Sequence, residues 1–578
     1  MDSFAFKIHS ICTPFSYLTL PSYDIASIKA FLVNNNVEMS VDMMYMRYAE
    51  YVGGELYSLL HEKGGGELVF SALLFPGNRS RLYDVWSHTM GTGASDFDAV
   101  IELTDEFCNS FIEERKDIFV DIKNVHFHLY TKSLMSSLYI AKLIYERFKS
   151  EIWVSGYHCQ NECGESLKVI CPFIKKVIST DTERNILKEL TNIDKYSEDL
   201  DYIPTPNYDD FIKSYNYLSK EFKDKYLTRY LFQVEFNRGC WWDKCTFCTL
   251  NCQYTSFQER SIDNLVNTYK EIIKKYKTFQ IIVYERNSGP GWKEIIEAMD
   301  DRIPEMKGSY TLSFKVSYLS NPDDIKFLSD HRVKFLVGTE CFSGHLLDKI
   351  NKEQRVIDNI FMLKFSERYG AQCYHNFMYS LPFETEEDFI ETEKNINKIL
   401  HLIPPFDLEE FRLTYNSEIY KRYEDFNISK IKFRNIEYTI IPPDFHEKIH
   451  TFFYDFEVED IKFELRKSKW IKLIDEWRNK YYQDEMNGVP NRGCKLSMRS
   501  DEEFLEIYDS RYSTLNTVYS YSDFYMKIYQ YCDVIRAFND IVVEFNTVNE
   551  ENIRKCLDDF ISKNLMFKEG EDYLSLAV

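Results

Sequence analysis

Three cysteines in one short segment dominate the chemistry that this chain could perform. Residues 238–248 contain Cys240, Cys245 and Cys248. Three thiolates that lie this close cannot pair evenly into disulfides, but they can bind three of the four irons of a [4Fe–4S] cluster. The fourth iron would then be open to a ligand that is not protein.

Two other interpretations of these cysteines stay open at this point. A structural zinc ion takes four ligands, and Cys252 could be the fourth. Alternatively, the thiols could be buried and chemically inert. The cluster is favoured because residues 231–236 predict a strand that leads directly into the cysteine loop.

Length and composition restrict the classes of protein to consider. At 578 residues the chain should contain about three or four domains. The net charge of −22 argues against a general nucleic-acid binder, which needs a basic surface. No apolar run predicts a membrane span, and Met1-Asp2-Ser3-Phe4 does not begin a signal peptide. With 14 scattered cysteines, the reducing cytoplasm is the expected location.

The first part of the chain predicts an open α/β unit. Candidate strands lie at 37–41, 124–129, 151–156 and 174–180, and helical patterns lie at 26–32 and from Ser133 to Phe148. Strands that alternate with helices favour a parallel sheet, so residues 1–225 are predicted to be a Rossmann-like domain with a polar linker. Residues 130–133, 156–164 and 179–183 would then share the ligand-binding edge of that sheet.

A second alternation of strands and helices follows the cysteine loop. With residues 231–236, candidate strands at 279–284, 311–316, 334–338, 372–379 and 408–413 predict a partial (β/α)6 barrel over residues 226–424. Beyond residue 425 the strand signals fade, and 445–482 look helical. The last residues predict a helix and a hairpin that turns at Gly570, so 425–578 is expected to be a mostly α domain that ends in a winged-helix-like element.

With these elements placed, the chain resembles the cobalamin-associated radical S-adenosylmethionine (SAM) proteins that mature ribosomally made peptides. This family is known as peptide-maturation radical SAM protein 1 and includes peptide C-methyltransferases. The most specific match is 238–248, and further matches are 66–71, 156–164, 338–343 and 382–389. The chain departs from the common radical SAM motif, because four residues instead of three separate Cys240 from Cys245. It also lacks the Asp-x-His-x-x-Gly motif that supplies a histidine to cobalt.

The resemblance implies three cofactors and two kinds of partner. Cys240, Cys245 and Cys248 would hold a [4Fe–4S] cluster, whose open iron would bind SAM and yield a 5′-deoxyadenosyl radical. The Rossmann-like domain would hold cobalamin, from which a peptide carbon would receive a methyl group. The partners would be a ribosomally made precursor peptide and a reductant such as flavodoxin or ferredoxin, with no nucleic acid and no membrane.

The resemblance also implies roles for individual side chains. Phe247 would lie beside the adenine of SAM, and Glu340 would hold its ribose through charge-assisted hydrogen bonds. The other candidates for binding SAM or the substrate end or follow the barrel strands: Tyr284, Glu285, Asn287, Asn376, Tyr379, Arg412 and Tyr415. Cys252 is a candidate radical-quenching thiol. The candidates for binding cobalamin are Tyr130, Gly156, Tyr157, His158, Cys159 and Thr180.

Two rival functions remain at this stage. The first keeps the radical chemistry without cobalamin, so that the peptide would be epimerised, rearranged, crosslinked or cleaved. The second is a non-catalytic peptide-binding protein whose cysteines hold a structural metal. Cleavage of SAM by the reduced cluster would discriminate between the second rival and both enzymes.

Overall fold

The computed structural model of this chain describes residues 6–254, 256–434, 439–482, 494–512 and 517–578, so Met1-Asp2-Ser3-Phe4 lies outside the described residues. Within these ranges, no helix combines the length and the apolar composition that crossing a bilayer requires. The predicted α/β class is confirmed, and so is the order of a Rossmann-like sheet followed by barrel strands.

The Rossmann-like domain contains a parallel five-stranded sheet. In spatial order its strands are Val37–Asp42, Phe6–Ile11, Asn124–Leu129, Glu151–Gly156 and Ile174–Ile178. The helices that cross between them or follow the last strand are Tyr23–Asn34, Leu134–Phe148, Asn161–Ile170 and Thr182–Thr191. The order reverses between Phe6–Ile11 and Asn124–Leu129, and ligands bind beyond the carboxyl ends of the strands at such a point.

Two features of this domain were not predicted. The strand Phe6–Ile11 lies inside the sheet, although its mixed sequence gave no strand signal. Between the second and third strands in chain order, the structure inserts six helices: Met44–Val52, Gly54–Lys63, Gly65–Leu74, Arg79–Met90, Ala94–Glu113 and Lys116–Asp121. The linker to the next domain carries Asp209–Tyr217 and Lys220–Tyr226.

The six predicted barrel strands are all present and parallel to their neighbours. Phe232–Glu235 pairs with Ile281–Tyr284, and a second sheet contains Thr311–Phe314, Lys334–Glu340, Cys373–Tyr379 and Asp407–Glu410 in that order. The outer helices are Ile262–Tyr276, Trp292–Arg302, Pro322–Asp330, Gly344–Lys349, Val356–Tyr369 and Glu386–Lys398. The cysteine loop therefore leaves the first strand at the carboxyl edge, where functional loops of such barrels lie.

The C-terminal part contains more strand than the sequence indicated. The expected helix over 445–482 begins only at Phe463 and runs to Tyr481, because Phe453–Val458 is the middle strand of a sheet with Leu413–Thr414 and Ile428–Phe433. Leu496–Ser500, Phe504–Asp509 and Thr517–Ser522 form a second antiparallel sheet. Aromatic and β-branched residues are frequent in helices and strands alike at these positions, so the pattern alone did not separate the two.

The last residues have winged-helix topology, as the sequence indicated. The helices are Asp523–Tyr531, Phe538–Glu544 and Glu550–Ser562, and the strands are Arg536–Ala537, Met566–Glu569 and Asp572–Ser575. The fully buried Lys364 on a barrel helix donates to the Asp533 carboxylate at 2.8 Å and to the Asp533 carbonyl at 2.7 Å. Arg368 forms a second pair of bonds with the same carboxylate. Asp533 therefore attaches the winged-helix element to the barrel.

Replacing Asp533 should destabilise the chain because it leaves the buried Lys364 ammonium without its counter-charge. We expect Asp533→Ala to lower the free energy of unfolding by about 3–5 kcal/mol, the cost of breaking a buried pair from one side. Urea unfolding followed by circular dichroism measures this effect. Lys555→Ala is the control, because its pair with Glu551 is exposed and should contribute at most about 1 kcal/mol. Equal losses in the two variants would contradict this assignment.

Candidate functional site

Asn251 fixes the backbone of the loop that carries the three cysteines. The Cys240 N–H donates to Asn251 Oδ1 at 2.7 Å, and Asn251 Nδ2 donates to the Cys240 carbonyl at 2.8 Å. Gly239 precedes this pair with a φ of +81°, a conformation that a side chain would strain. The start of the loop is thus positioned by one side chain and one glycine.

The middle of the loop is held by the barrel. The Thr246 N–H donates to the Ile350 carbonyl at 3.1 Å, and Asn351 Nδ2 donates to the Lys244 carbonyl at 3.0 Å. The Trp242 indole donates to the Asn351 carbonyl at 3.2 Å. These bonds fix the loop between Cys240 and Cys248 by protein contacts on both sides.

All three predicted cysteine ligands line one cavity of about 460 Å³, here called the cluster cavity. Two sulfurs accept hydrogen bonds: Asn287 Nδ2 donates to Cys240 Sγ at 3.3 Å, and the Leu250 N–H donates to Cys248 Sγ at 3.4 Å. Such donors stabilise thiolates. Burial raises the pKa of the Cys245 thiol to about 12, so this group becomes a thiolate when it binds a metal rather than in the free protein.

The described residues contain no group of three or more histidine, cysteine, aspartate or glutamate side chains arranged around a single metal ion. A four-iron cluster does not need such an arrangement, because each thiolate binds its own iron.

Glu340 lies in the wall of the cluster cavity as predicted. It is the last residue of Lys334–Glu340, is 5% exposed and has a φ of +61°. Its carboxylate accepts from Asn376 Nδ2 at 2.8 Å and pairs with the Lys352 ammonium. Lys352 also donates to the Gly338 carbonyl at 2.7 Å. It therefore holds both the Glu340 carboxylate and the β-bulge at the end of this strand.

The remaining predicted barrel residues divide into two groups. Phe247, Asn287 and Asn376 line the cluster cavity, as a role in cofactor binding requires. Tyr379, Arg412 and Tyr415 lie outside its lining, and Tyr284 and Glu285 do so as well. Those five positions follow barrel strands in sequence, but the strand pleat and the later loops direct their side chains elsewhere.

Contacts of the outlying side chains explain where they lie. Tyr379 has Glu410 and Lys467 as its charged neighbours. The Tyr415 hydroxyl donates to Glu162 at 3.2 Å on the Rossmann-like domain. Arg412 is exposed over the Phe453 ring. None of these contacts supports the catalytic or cofactor role that the sequence suggested for Tyr379, Tyr415 and Arg412.

Glu285 connects the two halves of the barrel. Its carboxylate accepts from the Ser288 hydroxyl at 2.6 Å, the Ser313 N–H at 2.7 Å and Asn237 Nδ2 at 3.0 Å. Asn237 follows the first barrel strand and Ser313 lies in the third, so these bonds join sheets that share no ladder. Burial raises the pKa of Glu285 to about 7. These bonds give Glu285 a structural role, and its predicted contact with SAM stays a prediction.

Cys252 lies on the short helical turn Leu250–Gln253 but outside the lining of the cluster cavity. Burial raises the pKa of its thiol, and Asn161 of the Rossmann-like domain is its hydrogen-bond partner. The side chain therefore faces the other domain. Its proposed role as a radical-quenching thiol stays a prediction without a contact that supports it.

A second cavity of about 240 Å³, here called the interdomain cavity, lies at the carboxyl edge of the Rossmann sheet. The predicted residues Tyr130, Gly156 and Tyr157 line it, together with Asp24 and His128. The barrel side contributes Arg238, Gln253, Tyr254, Tyr284 and Arg286. Tyr284 lines this cavity and not the cluster cavity, and its predicted contact with SAM stays a prediction.

Gly156 is essential to the shape of the interdomain cavity. Its φ is +97°, and a Cβ would lie 2.9 Å from the Leu129 carbonyl and 3.0 Å from His128 Nε2. His158 and Cys159 are buried beside this turn, outside the cavity lining, and burial lowers the pKa of His158 to about 4. Thr180 also lies outside the lining, and its carbonyl accepts from Asn185 at 2.6 Å.

A buried ionic triad joins the Rossmann-like domain to the segment that leads into the cysteine loop. Arg238 donates to Glu183 at 3.0 Å and to Glu235 at 2.8 Å, and all three residues are at most 5% exposed. Burial opposes ionisation of Glu183, but Arg238 and Ser27 outweigh it and lower its pKa. Burial raises the pKa of Glu235, which accepts from the Tyr23 hydroxyl at 3.0 Å.

Sequence reasoning missed several residues of both cavities. Lys352 of the cluster cavity and Asp24 of the interdomain cavity were not considered, and Arg238 was seen only as part of a motif. A lysine soon after a strand-end glutamate is a weak signal, since surface lysines are common. These residues form their contacts with partners from other segments of the chain. One sequence without relatives does not reveal which segments lie together.

The Glu285 carboxyl should make unfolding depend on pH. Because its folded pKa of about 7 exceeds its ordinary value of 4.5, its contribution to stability is complete below pH 4.5 and is lost as the pH rises through 7. Glu285→Gln mimics the protonated carboxyl, so the wild type should lose stability relative to this variant between pH 5 and pH 8. Urea midpoints at the two pH values measure this difference. The exposed Glu102→Gln should show no such change, and a constant difference for Glu285→Gln would contradict the assignment.

Comparisons with known proteins agree with this architecture. No family model matches the sequence, and no curated protein is similar to it. The cobalamin-dependent SAM radical enzyme OxsB, solved with aqua-cobalamin and SAM, is similar with a TM-score of 0.56 and 12% identity, over 83% of this chain and 68% of OxsB. The radical SAM methyltransferase TsrM from Kitasatospora setae, solved with tryptophan and the analogue aza-SAM, has a TM-score of 0.50 and 10% identity, over 82% of this chain and 90% of TsrM. The chain therefore has the fold of these radical SAM enzymes.

Proposed function

We propose that this chain is a radical SAM enzyme that uses cobalamin to methylate an unactivated carbon of a ribosomally made peptide. One observation carries the proposal: three cysteine thiols and the buried Glu340 line the same cavity at the carboxyl edge of a parallel barrel. The fold similarity to OxsB and TsrM supports it, because both are named as radical SAM enzymes.

The donor set of the cluster cavity fits a [4Fe–4S] cluster with bound SAM. Cys240, Cys245 and Cys248 would hold three irons, and the donors from Asn287 and Leu250 would stabilise the thiolates. When bound, the cluster supplies the electron that cleaves SAM, and cobalamin supplies the methyl group.

Glu340 is suited to hold the ribose hydroxyls of SAM through charge-assisted hydrogen bonds. Lys352 and Asn376 fix the orientation of its carboxylate, so a ligand need not order it. Phe247 offers an apolar ring to adenine in the same cavity. These residues would bind SAM, orient it and exclude water from it. Such roles are the protein's contribution to cofactor chemistry.

The interdomain cavity suits cobalamin by its position and its donors. It lies where the strands of the Rossmann sheet end, and Gly156 keeps the space that a side chain would fill. A neighbouring cavity of about 400 Å³ shares Asp24, Tyr130 and Tyr284 with it, so the ligand space continues along this edge. Tyr157, directly after Gly156, belongs to the wall as well, and its ring centroid lies 3.9 Å from that of Phe452 in the C-terminal part.

The open side of the barrel supports an extended peptide as the substrate. Within the described ranges, Asp407–Glu410 pairs only with Cys373–Tyr379, so its other edge is unpaired. The exposed ring of Phe406, which directly precedes this strand, lines the cluster cavity. A peptide can add to such an edge through main-chain hydrogen bonds. A cytoplasmic reductant such as flavodoxin or ferredoxin completes the proposal.

Metal analysis after anaerobic purification tests the cofactors. Cells supplied with cobalamin should yield protein with about four irons and about one cobalt per chain after reconstitution with iron and sulfide. Replacing Cys240, Cys245 and Cys248 by alanine should remove the iron and abolish release of 5′-deoxyadenosine from SAM. Cys252→Ala is the matched control, because its sulfur lies outside the cluster cavity and the iron content should not change.

The outcomes separate the rival functions. Iron without cobalt would overturn methyl transfer and favour another radical modification of the peptide. Zinc in place of iron, lost in the Cys252→Ala variant, would overturn the proposal as a whole. A methyl-labelled SAM assay with candidate precursor peptides then tests the substrate.

Glu340→Gln should weaken SAM binding without removing the cluster. The neutral amide forms weaker hydrogen bonds to hydroxyls than a carboxylate does, and Lys352 loses its counter-charge. We expect a loss of about 1.5–3 kcal/mol, or roughly ten- to a hundredfold in the dissociation constant. Equilibrium titration of the reconstituted protein with SAM measures this change.

Glu410→Gln is the matched control for Glu340→Gln. Glu410 is exposed at the end of Asp407–Glu410, two strands away in the same sheet, and pairs with Lys467 outside the cluster cavity. Its replacement should leave SAM affinity unchanged. A similar loss in both variants, or none in either, would remove Glu340 from the SAM site.

A further inference from the structure

Lys315 is a buried basic side chain in the wall of the cluster cavity. It directly follows the third barrel strand, Thr311–Phe314, at the carboxyl edge of the barrel, and it is 5% exposed. Among the residues that the structure describes, none forms a hydrogen bond or an ion pair with its ammonium group. Lysine is almost never buried unless it is paired, because an unpaired buried charge is costly. The fold by itself therefore does not explain why a lysine stands here.

The other charged side chains of the cluster cavity leave Lys315 without a counter-charge. Lys352 occupies the Glu340 carboxylate, so this pair is neutral as a whole. Asp407 and Glu409 also line the cavity, but both are exposed to water and neither forms an ion pair with Lys315. The ammonium of Lys315 is thus a positive charge that the protein part of the cavity does not neutralise.

The electrostatic neighbours of Lys315 include one of the predicted cluster ligands. Burial lowers the pKa of Lys315, whereas the exposed Glu353 carboxylate and the Cys245 sulfur raise it. Cysteines bind metal as thiolates, and Cys240, Cys245 and Cys248 line the same cavity as Lys315. The negative charge of a cluster bound to these sulfurs would therefore arise in the cavity that Lys315 faces.

The ring of Trp242 holds the ammonium of Lys315 at the wall of this cavity. Lys315 Nζ lies 3.5 Å from the ring centroid. The indole N–H donates to the Asn351 carbonyl at 3.2 Å, which fixes the orientation of the ring. A cation–π contact stabilises a positive charge but does not neutralise it. The charge of Lys315 thus stays available to a group in the cluster cavity.

We propose that the Lys315 ammonium raises the reduction potential of the [4Fe–4S] cluster. This inference rests on the proposed function, because it requires a cluster in the cluster cavity. Reduction adds one electron to the cluster, taken from a one-electron donor such as flavodoxin or ferredoxin, and no bond forms or breaks. A nearby positive charge stabilises the reduced cluster more than the oxidised one, since the reduced form carries one more negative charge. Lys315 acts through the cluster and is not itself a reacting group.

A spectroelectrochemical titration of the full-length protein, reconstituted with iron and sulfide, tests this proposal. Lys315→Met keeps the length of the side chain and removes its charge. The midpoint potential of the cluster should fall by at least about 59 mV, which is a tenfold change in the equilibrium constant of one-electron reduction. The titration is made without SAM, so that the carboxylate of this ligand cannot cause the difference.

Lys244→Met is the matched control for Lys315→Met. Lys244 Nζ lies 4.5 Å from the centroid of the same Trp242 ring, but Lys244 is exposed and lies outside the lining of the cluster cavity. Water and salt screen an exposed charge, so this variant should change the equilibrium constant of reduction by less than about twofold.

The stability of the metal-free protein gives an independent measurement. Removing a buried ammonium that has no counter-charge should not destabilise the fold, and methionine packs well against an aromatic ring. Urea unfolding of metal-free Lys315→Met should therefore show the same midpoint as the unaltered protein or a higher one. A lower midpoint, or a variant that does not fold, would show that the fold itself requires Lys315 and would overturn the proposal.

The outcomes separate this inference from the proposed function. A cluster whose potential is the same in Lys315→Met and in the unaltered protein, or falls equally in Lys315→Met and Lys244→Met, would overturn the role of Lys315 and leave the proposed enzyme intact. Failure of the unaltered protein to take up iron would overturn both.

Discussion

The buried contact between Arg238 and the two carboxylates of Glu183 and Glu235 is the interaction on which the arrangement of both cavities depends. Three charged groups with almost no exposure are expensive to bury, and they persist only when each is paired and hydrogen-bonded. Arg238 precedes the cysteine loop, whereas Glu183 belongs to the helix Thr182–Thr191 of the other domain. The triad therefore fixes the distance between the Rossmann edge and the first cysteine.

A related constraint operates inside the barrel. The strands form two hydrogen-bonded groups, and the Glu285 carboxylate joins them at the edge where the cysteine loop begins. A buried carboxyl at this position costs desolvation, which its raised pKa reflects. Because Glu285 is fixed, Asn287, two residues further along the chain, is positioned to donate from Nδ2 to Cys240 Sγ. Polar groups at the carboxyl edge of the barrel thus determine the positions of the site residues. Packing of the apolar core alone does not determine these positions.

The fold was more predictable than the site, for physical reasons. The apolar segments of the sequence predicted all six barrel strands, and the hairpin turn at Gly570 indicated the winged-helix element. Phe6–Ile11 was missed because its polar His9 and Ser10 are buried in the sheet and break the apolar pattern. Among the site residues, the cysteines and Glu340 were predictable from motif and position. The roles of Glu285, Tyr379 and Tyr415 stay predictions, and these side chains lie outside the lining of the cluster cavity because position along a strand does not determine the direction in which a side chain points.

The hydrogen bonds of the cysteine loop bear on how the protein would mature. Thr246, Asn351 and Asn251 bind the loop through amides and carbonyls, not through sulfur. Small zinc domains fold only as they bind their metal, since the metal supplies most of the energy that orders their loops. Here protein contacts alone order the loop backbone. On the proposed function, the cluster would therefore enter a loop that is already folded.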